Sequence, residues 1–340
     1  ENNAWTNNDI TNYYLTVPKQ NVETGFWLES DRMLCLDFSS KSLEVQRGVV
    51  MEEFKQRCLN RPYGDTGHLL RPLVYKEHPY QWPTIGKELN HIAQATLQEV
   101  EDFFFSFYAP NNAILAVTGN ITFEEAVRLA EKWFGPIPRR ELKKRNLPAE
   151  PQQTEERRLT VERNVPIESL YMAFRMCDRM HPDYYAYDIL SDILSNGRSS
   201  RLIQHLVHDR QIFSSIDAHI SGSIDAGLFH ITGKPANGVS LEDAEKAVWE
   251  ELQIISNELI DEEELEKVKN KFESTQIFGN LNYLNVATNL AWFEMLSRAE
   301  DMDKEVENYR AVTSQQLMDV ARKAFTRTNY SVLIYKKIES

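Results

Sequence analysis

Two stretches of this chain, 217 residues apart, follow one plan. Residues 96–118 read TLQEVEDFFFSFYAPNNAILAVT, and residues 313–335 read TSQQLMDVARKAFTRTNYSVLIY. Each opens on a Thr, runs through a helical pattern to an aromatic, turns at an Asn (Asn112, Asn329) and closes on a short apolar strand. A helix–turn–strand unit that recurs across 340 residues points to an α+β fold of two tandem copies, each a sheet with helices on one face. The length suits two domains. The first copy is incomplete at its front, since one expected strand, over 4–18, precedes its first helix.

The remaining pattern fills in around these landmarks. In the first copy, helices are expected over 20–36, 42–58, 63–75, 96–108 and 122–134, with Ser42 capping the second and a Thr96–Glu99 capping box opening the fourth. A strand is expected over 113–118. Residues 136–156 then hold Pro136, Pro138, Pro148 and Pro151 and a basic run at 139–145, and read as a linker. The expected division is a truncated first domain at 1–140, a linker at 141–156 and a second domain at 157–340. In the second domain, strands are expected over 158–163, 170–176, 214–221, 227–232 and 330–335. Helices are expected over 183–194, 199–208, 241–259, 262–278, 284–297 and 314–325.

Charge excludes some functions. Lys plus Arg total 38 against 51 Asp plus Glu, a formal net charge of −13. Nucleic acids and anionic membranes are held by basic surfaces, so neither is an expected partner. The basic run at 139–145, set among prolines in an acidic chain, reads as solvated linker. No apolar run approaches the roughly 20 residues that span a bilayer. The three cysteines (Cys35, Cys58, Cys177) are widely spaced and form no metal or disulfide motif. The sequence selects no compartment; a soluble periplasmic or cytoplasmic protein fits it.

One helix draws attention for its chemistry. In 43–57, LEVQRGVVMEEFKQR, Gln46 and Glu53 are seven residues apart and lie about 20° apart around a helix. Glu52 points elsewhere. A carboxylate and, two turns earlier, its amide analogue therefore share one face. None of the eight histidines sits in H-E-x-x-H or H-x-x-E-H, the helical zinc motifs. His205 and His208 have chelating i, i+3 spacing but no third ligand nearby in sequence. The stretch 196–201, NGRSSR, reads as a turn and helix entry. No P-loop, dinucleotide fingerprint or nucleophile elbow is present.

Taken in order, the short motifs resemble the M16 zinc metallopeptidases (pitrilysin/insulinase-like and mitochondrial-processing-peptidase-like). They are Asn3-Ala4-Trp5-Thr6 with Thr11-Asn12-Tyr13-Tyr14; Arg47-Gly48-Val49-Val50-Met51-Glu52-Glu53; Phe107-Tyr108-Ala109-Pro110-Asn111-Asn112 leading to Val117-Thr118-Gly119-Asn120; Lys132-Trp133-Phe134-Gly135-Pro136; 190–202, LSDILSNGRSSRL; and Glu263-Glu264-Leu265-Glu266-Lys267. Together they cover nearly the whole chain.

The resemblance implies a peptide hydrolase with a zinc cofactor. It places an H-x-x-E-H motif upstream of the strand at Asn3, its two His binding zinc and its Glu acting as general base. It makes Glu53 the third zinc ligand and Gln46 a neighbour behind the metal, where catalytic members usually carry Glu. It makes Asn3 and Ala4 the edge on which a peptide substrate adds as a strand. In the second domain it puts Val207 and Ser214 where many members have a substrate-binding Arg and Tyr. Because H-x-x-E-H is absent here, the chain alone is expected to hold no zinc tightly and to cleave nothing. The alternative is a non-catalytic, peptide-binding or scaffolding subunit of a two-subunit peptidase. The expected partners are a peptide and either a second copy or a second M16-like subunit.

Overall fold

The computed structural model describes residues 1–338. The first half of the chain forms β1 (Asn2–Thr6), β2 (Thr11–Leu15), α1 (Val22–Leu34), α2 (Ser40–Phe54), α3 (Thr66–Val74), α4 (Leu89–Gln94), α5 (Leu97–Phe107) and α6 (Phe123–Phe134). After an irregular stretch come β3 (Arg157–Arg163), β4 (Ser169–Arg175), α7 (Tyr184–Ser195), β5 (Phe213–Ser221), β6 (Leu228–Pro235), α8 (Leu241–Asn257), α9 (Glu262–Gly279), α10 (Tyr283–Leu296), α11 (Glu305–Arg310), α12 (Ser314–Ala324) and β7 (Tyr330–Lys337). The α+β class and the tandem plan are both present.

The repeat holds down to single hydrogen bonds. Thr96 and Thr313, 217 residues apart, each close a capping box, with Glu99 and Gln316 reaching back to the cap. Asn112 Nδ2 donates to Phe107 O, and Asn329 Nδ2 makes the same bond to Ala324 O, both at 2.9 Å. The same offset relates the starts of β2 and β6, and those of α3 and α10.

Packing divides the chain into two compact units, each discontinuous in sequence. Unit 1 comprises Glu1–Gln56, Thr84–Leu147 and Ile277–Asp303; unit 2 comprises Arg57–Pro83, Pro148–Gln276 and Lys304–Ser340. The segment carrying α3 therefore packs with unit 2, and the one carrying its repeat counterpart α10 packs with unit 1.

Unit 2 is built on a five-stranded sheet of order β3-β7-β4-β6-β5. β7 runs parallel to β3 and antiparallel to β4, and the other pairings are antiparallel. Side chains alternate across the sheet, as the two-residue period of a strand requires. Leu170, Met172 and Phe174 face the core to which α7, α8, α9, α11 and α12 contribute. Tyr171 and Ala173 face the opposite side, where Leu70 and Val74 of α3 cover Leu333 and Tyr335. These helices thus pack on one face, with α3 added on the other.

Among the described residues, unit 1 has one two-stranded sheet. The single strand expected over 4–18 is a hairpin, with Asn2 paired to Leu15 and Thr6 to Thr11. Its turn is set by Asn7, whose Oδ1 accepts the N–H groups of Asp9 and Ile10, each at 2.9 Å. That is the local bonding for which Asn is favoured in turns. The strand expected over 113–118 is not assigned as one. Its counterpart β7 lies between β3 and β4, and unit 1 offers no strand in either place among the described residues. A ladder needs neighbours as well as a suitable sequence.

Candidate functional site

The helix carrying Glu53 and Gln46 is capped three residues before the expected cap. Ser39 caps α2, accepting the N–H of Ser42 at 3.2 Å. Asp37 accepts both hydroxyls, at 3.0 Å from Ser39 and 2.5 Å from Ser42. These bonds hold its carboxyl below the usual Asp range. Ser42 is thus the cap's partner within the first turn. At the other end, α2 stops at Phe54, which is buried, and the chain continues as a π-helical turn over Lys55–Leu59.

On α2, Glu53 is half-buried, while Gln46 and Glu52 are exposed. Glu52 bonds locally, to Gln56 at 3.5 Å and Lys55 at 3.7 Å. Arg47 is the residue that sequence reasoning missed. It bonds Glu44 at 2.5 Å and reaches Ala95 O, just after α4, at 2.6 Å, so it ties α2 to that turn. The guanidinium is suited to this because it donates in several directions at once. The "RG" in the motif was visible in the sequence, but its distant backbone acceptor was not.

Asn3 and Ala4 lie on β1, which among the described residues pairs with β2 alone. Both are exposed, and Asn3 Oδ1 accepts the N–H of Ala4 at 2.8 Å. β2 is fixed behind β1. Tyr13 Oη lies 2.6 Å from Tyr108 Oη, and the Arg32 guanidinium lies over the Tyr13 ring at 4.6 Å. All four candidate residues (Asn3, Ala4, Gln46, Glu53) belong to unit 1.

Val207 and Ser214 belong to unit 2. Val207 packs on the core, and the Ser214 hydroxyl donates to Lys234 O at 3.0 Å. Neither presents a cation or a phenol. His205 Nδ1 lies 2.8 Å from Glu251 Oε2, which ties that imidazole to α8. No group of three or more His, Cys, Asp or Glu is arranged for a metal among the described residues. A catalytic zinc takes three protein ligands, so Glu53 with its described surroundings does not fit the ion.

A tandem α+β protein whose candidate strand β1 and candidate helical carboxylate Glu53 belong to the same unit is the class these observations define. A family model described as "Peptidase M16 inactive domain" matches residues 94–272, just over half of the chain. The chain belongs to the peptidase M16 family. It is 28% identical over 272 residues to the zinc protease PqqE of Helicobacter pylori, an alignment covering 78% of this chain and 61% of that protein. To the uncharacterized zinc protease YmxG of Bacillus subtilis it is 24% identical over 338 residues, covering 98% and 80%. The solved structure of a protease from Helicobacter pylori superposes with a TM-score of 0.92 at 25% identity, covering 99% of this chain and 82% of that one. The chain therefore spans about three-fifths of the first of these relatives. No described helix is long and apolar enough to cross a membrane.

Proposed function

We propose that this chain is part of an M16-type zinc endopeptidase acting on peptides. Glu53 would be one zinc ligand, and the others would come from an H-x-x-E-H segment that residues 1–338 do not contain. Asn3 and Ala4 would hold an extended peptide by strand addition, which binds through main-chain groups and tolerates many sequences. Gln46 would steady the helix face beside Glu53 without adding charge. The observation that carries the reading is the placement of β1, with its open edge, in the same unit as the helix face of Gln46 and Glu53. The zinc-protease names of the relatives support it.

Residues 1–340 alone are expected to be inert. Calorimetric titration with zinc is expected to show no site near one per chain, and peptide digestion is expected to match a blank. A stoichiometric site abolished by Glu53→Ala would overturn the inertness and identify Glu53 as a ligand at once.

A second reading is favoured by Gln46, which stands where catalytic members usually carry Glu. In it, the chain belongs to a non-catalytic subunit that binds peptide beside an active partner. An H-x-x-E-H encoded shortly before Glu1 selects the first reading, and its absence selects the second.

A further inference from the structure

Unit 2 carries two Asn-Gly dipeptides at exposed positions, Asn196-Gly197 after α7 and Asn237-Gly238 between β6 and α8, and their surroundings differ. Asn196 is held at both ends of its amide: Lys271 Nζ donates to its Oδ1, and its Nδ2 donates to Asp192 Oδ1 at 2.8 Å. The next amide is engaged too, since the Gly197 N–H donates to Ser195 O at 3.1 Å. Asn237 sits in a turn closed by the Val239 N–H on Ala236 O at 3.1 Å. Among the described residues, neither its side chain nor the Gly238 N–H has a hydrogen-bond partner. Gly238 takes a φ of +84°, and beyond its chain neighbours no atom lies within 4 Å of where a Cβ would stand.

An Asn side chain followed by glycine can cyclise, because glycine lets the next backbone nitrogen come close. The Gly238 nitrogen attacks Cγ of Asn237. The N–Cγ bond forms, the Cγ–Nδ2 bond breaks, and Nδ2 leaves as ammonia with the Gly238 amide proton. Water then opens the succinimide ring at Cγ, giving Asp, or at the main-chain carbonyl, giving isoaspartate with one more carbon in the backbone. The first step needs Cγ free to turn and the nitrogen free to lose its proton. Both are free at 237 and both are held at 196, where a charge-assisted bond has to break first.

We propose that Asn237 is a site of self-modification, converting to Asp and isoaspartate with water as the only reagent. Isoaspartate there lengthens the backbone inside the turn that leads to Ser240, the cap of α8. The proposal rests on bonds within unit 2 and stands apart from the peptidase reading. Folded residues 1–340, incubated at mildly alkaline pH and peptide-mapped over time, are expected to convert at 237 at least about tenfold faster than at 196. In denaturant, which releases both side chains, the two sites are expected to convert at similar rates. Lys271→Ala, at an exposed lysine, is expected to speed conversion at 196 and leave 237 unchanged. No conversion at 237, equal rates in the folded protein, a preference for 237 that persists undiminished in denaturant, or a rate at 196 untouched by Lys271→Ala would each overturn the proposal.

Discussion

Ser195 does for the edge of β5 what a neighbouring strand would do. Its hydroxyl donates to Ala218 O at 2.8 Å and accepts the Ala218 N–H at 2.7 Å, satisfying both groups with one atom. Ser195→Ala strands two main-chain groups at a buried residue and should cost about 1–3 kcal/mol in denaturant unfolding. Two buried carboxylates titrate in opposite senses. Burial alone would raise Glu245, but Arg158 at 2.7 and 2.8 Å and the Tyr330 hydroxyl at 3.0 Å bring it below its ordinary 4.5. Its contribution is present above pH 4.5 and is lost as pH falls through the lowered value. Glu305 is raised above 4.5 by burial, against the pull of Arg179 at 2.7 Å. Its contribution is full below pH 4.5 and is lost as pH rises through the raised value. Unfolding midpoints across pH should therefore lose part of their acid limb in Glu245→Gln and part of the decline just above pH 4.5 in Glu305→Gln. The Gln46–Glu53 face was legible from spacing alone. The Ser39 cap was not, because Asp37, Ser39 and Ser42 compete locally and only their mutual bonding decides.

At the scale of elements, the helix–turn–strand repeat was readable because its signals are local. A capping Thr, a polar turn and helical spacing act within a few residues of one another. Thr96→Ala and Thr313→Ala should each cost about 1 kcal/mol of stability, as loss of a helix cap does. Because the two caps share no partner, the double variant should lose the sum; a shortfall in denaturant unfolding would show that the two caps are coupled. The β1–β2 hairpin had a signal too, in Asn7-Asn8-Asp9, a cluster of turn-forming residues inside what reads as one strand. Residues 113–118 taught the opposite lesson. Their strand character is in the side chains, but a strand exists only when other segments supply its hydrogen bonds. The tie from Arg47 to Ala95 escaped notice for the same reason, since its acceptor is a backbone carbonyl 48 residues away.

For the whole molecule, composition and motif order indicated two copies and a family, and packing added how the chain is shared. Residues 57–83, read in sequence as part of the first domain, pack with unit 2, while 277–303 pack with unit 1. No local pattern encodes that allotment. Cutting the chain at the proline-rich stretch should therefore separate nothing: digestion at the exposed basic run 139–145 is expected to yield nicked protein that co-elutes on size exclusion without denaturant, and separated halves would contradict the packing. The order of the five-stranded sheet carries a further consequence. β7, the last strand of that sheet in sequence, belongs between β3 and β4, which are the first two. During translation those two strands have no middle. The sheet closes only once β7 has been made, so two strands that lie next to the same partner must wait for it across the whole of the intervening chain.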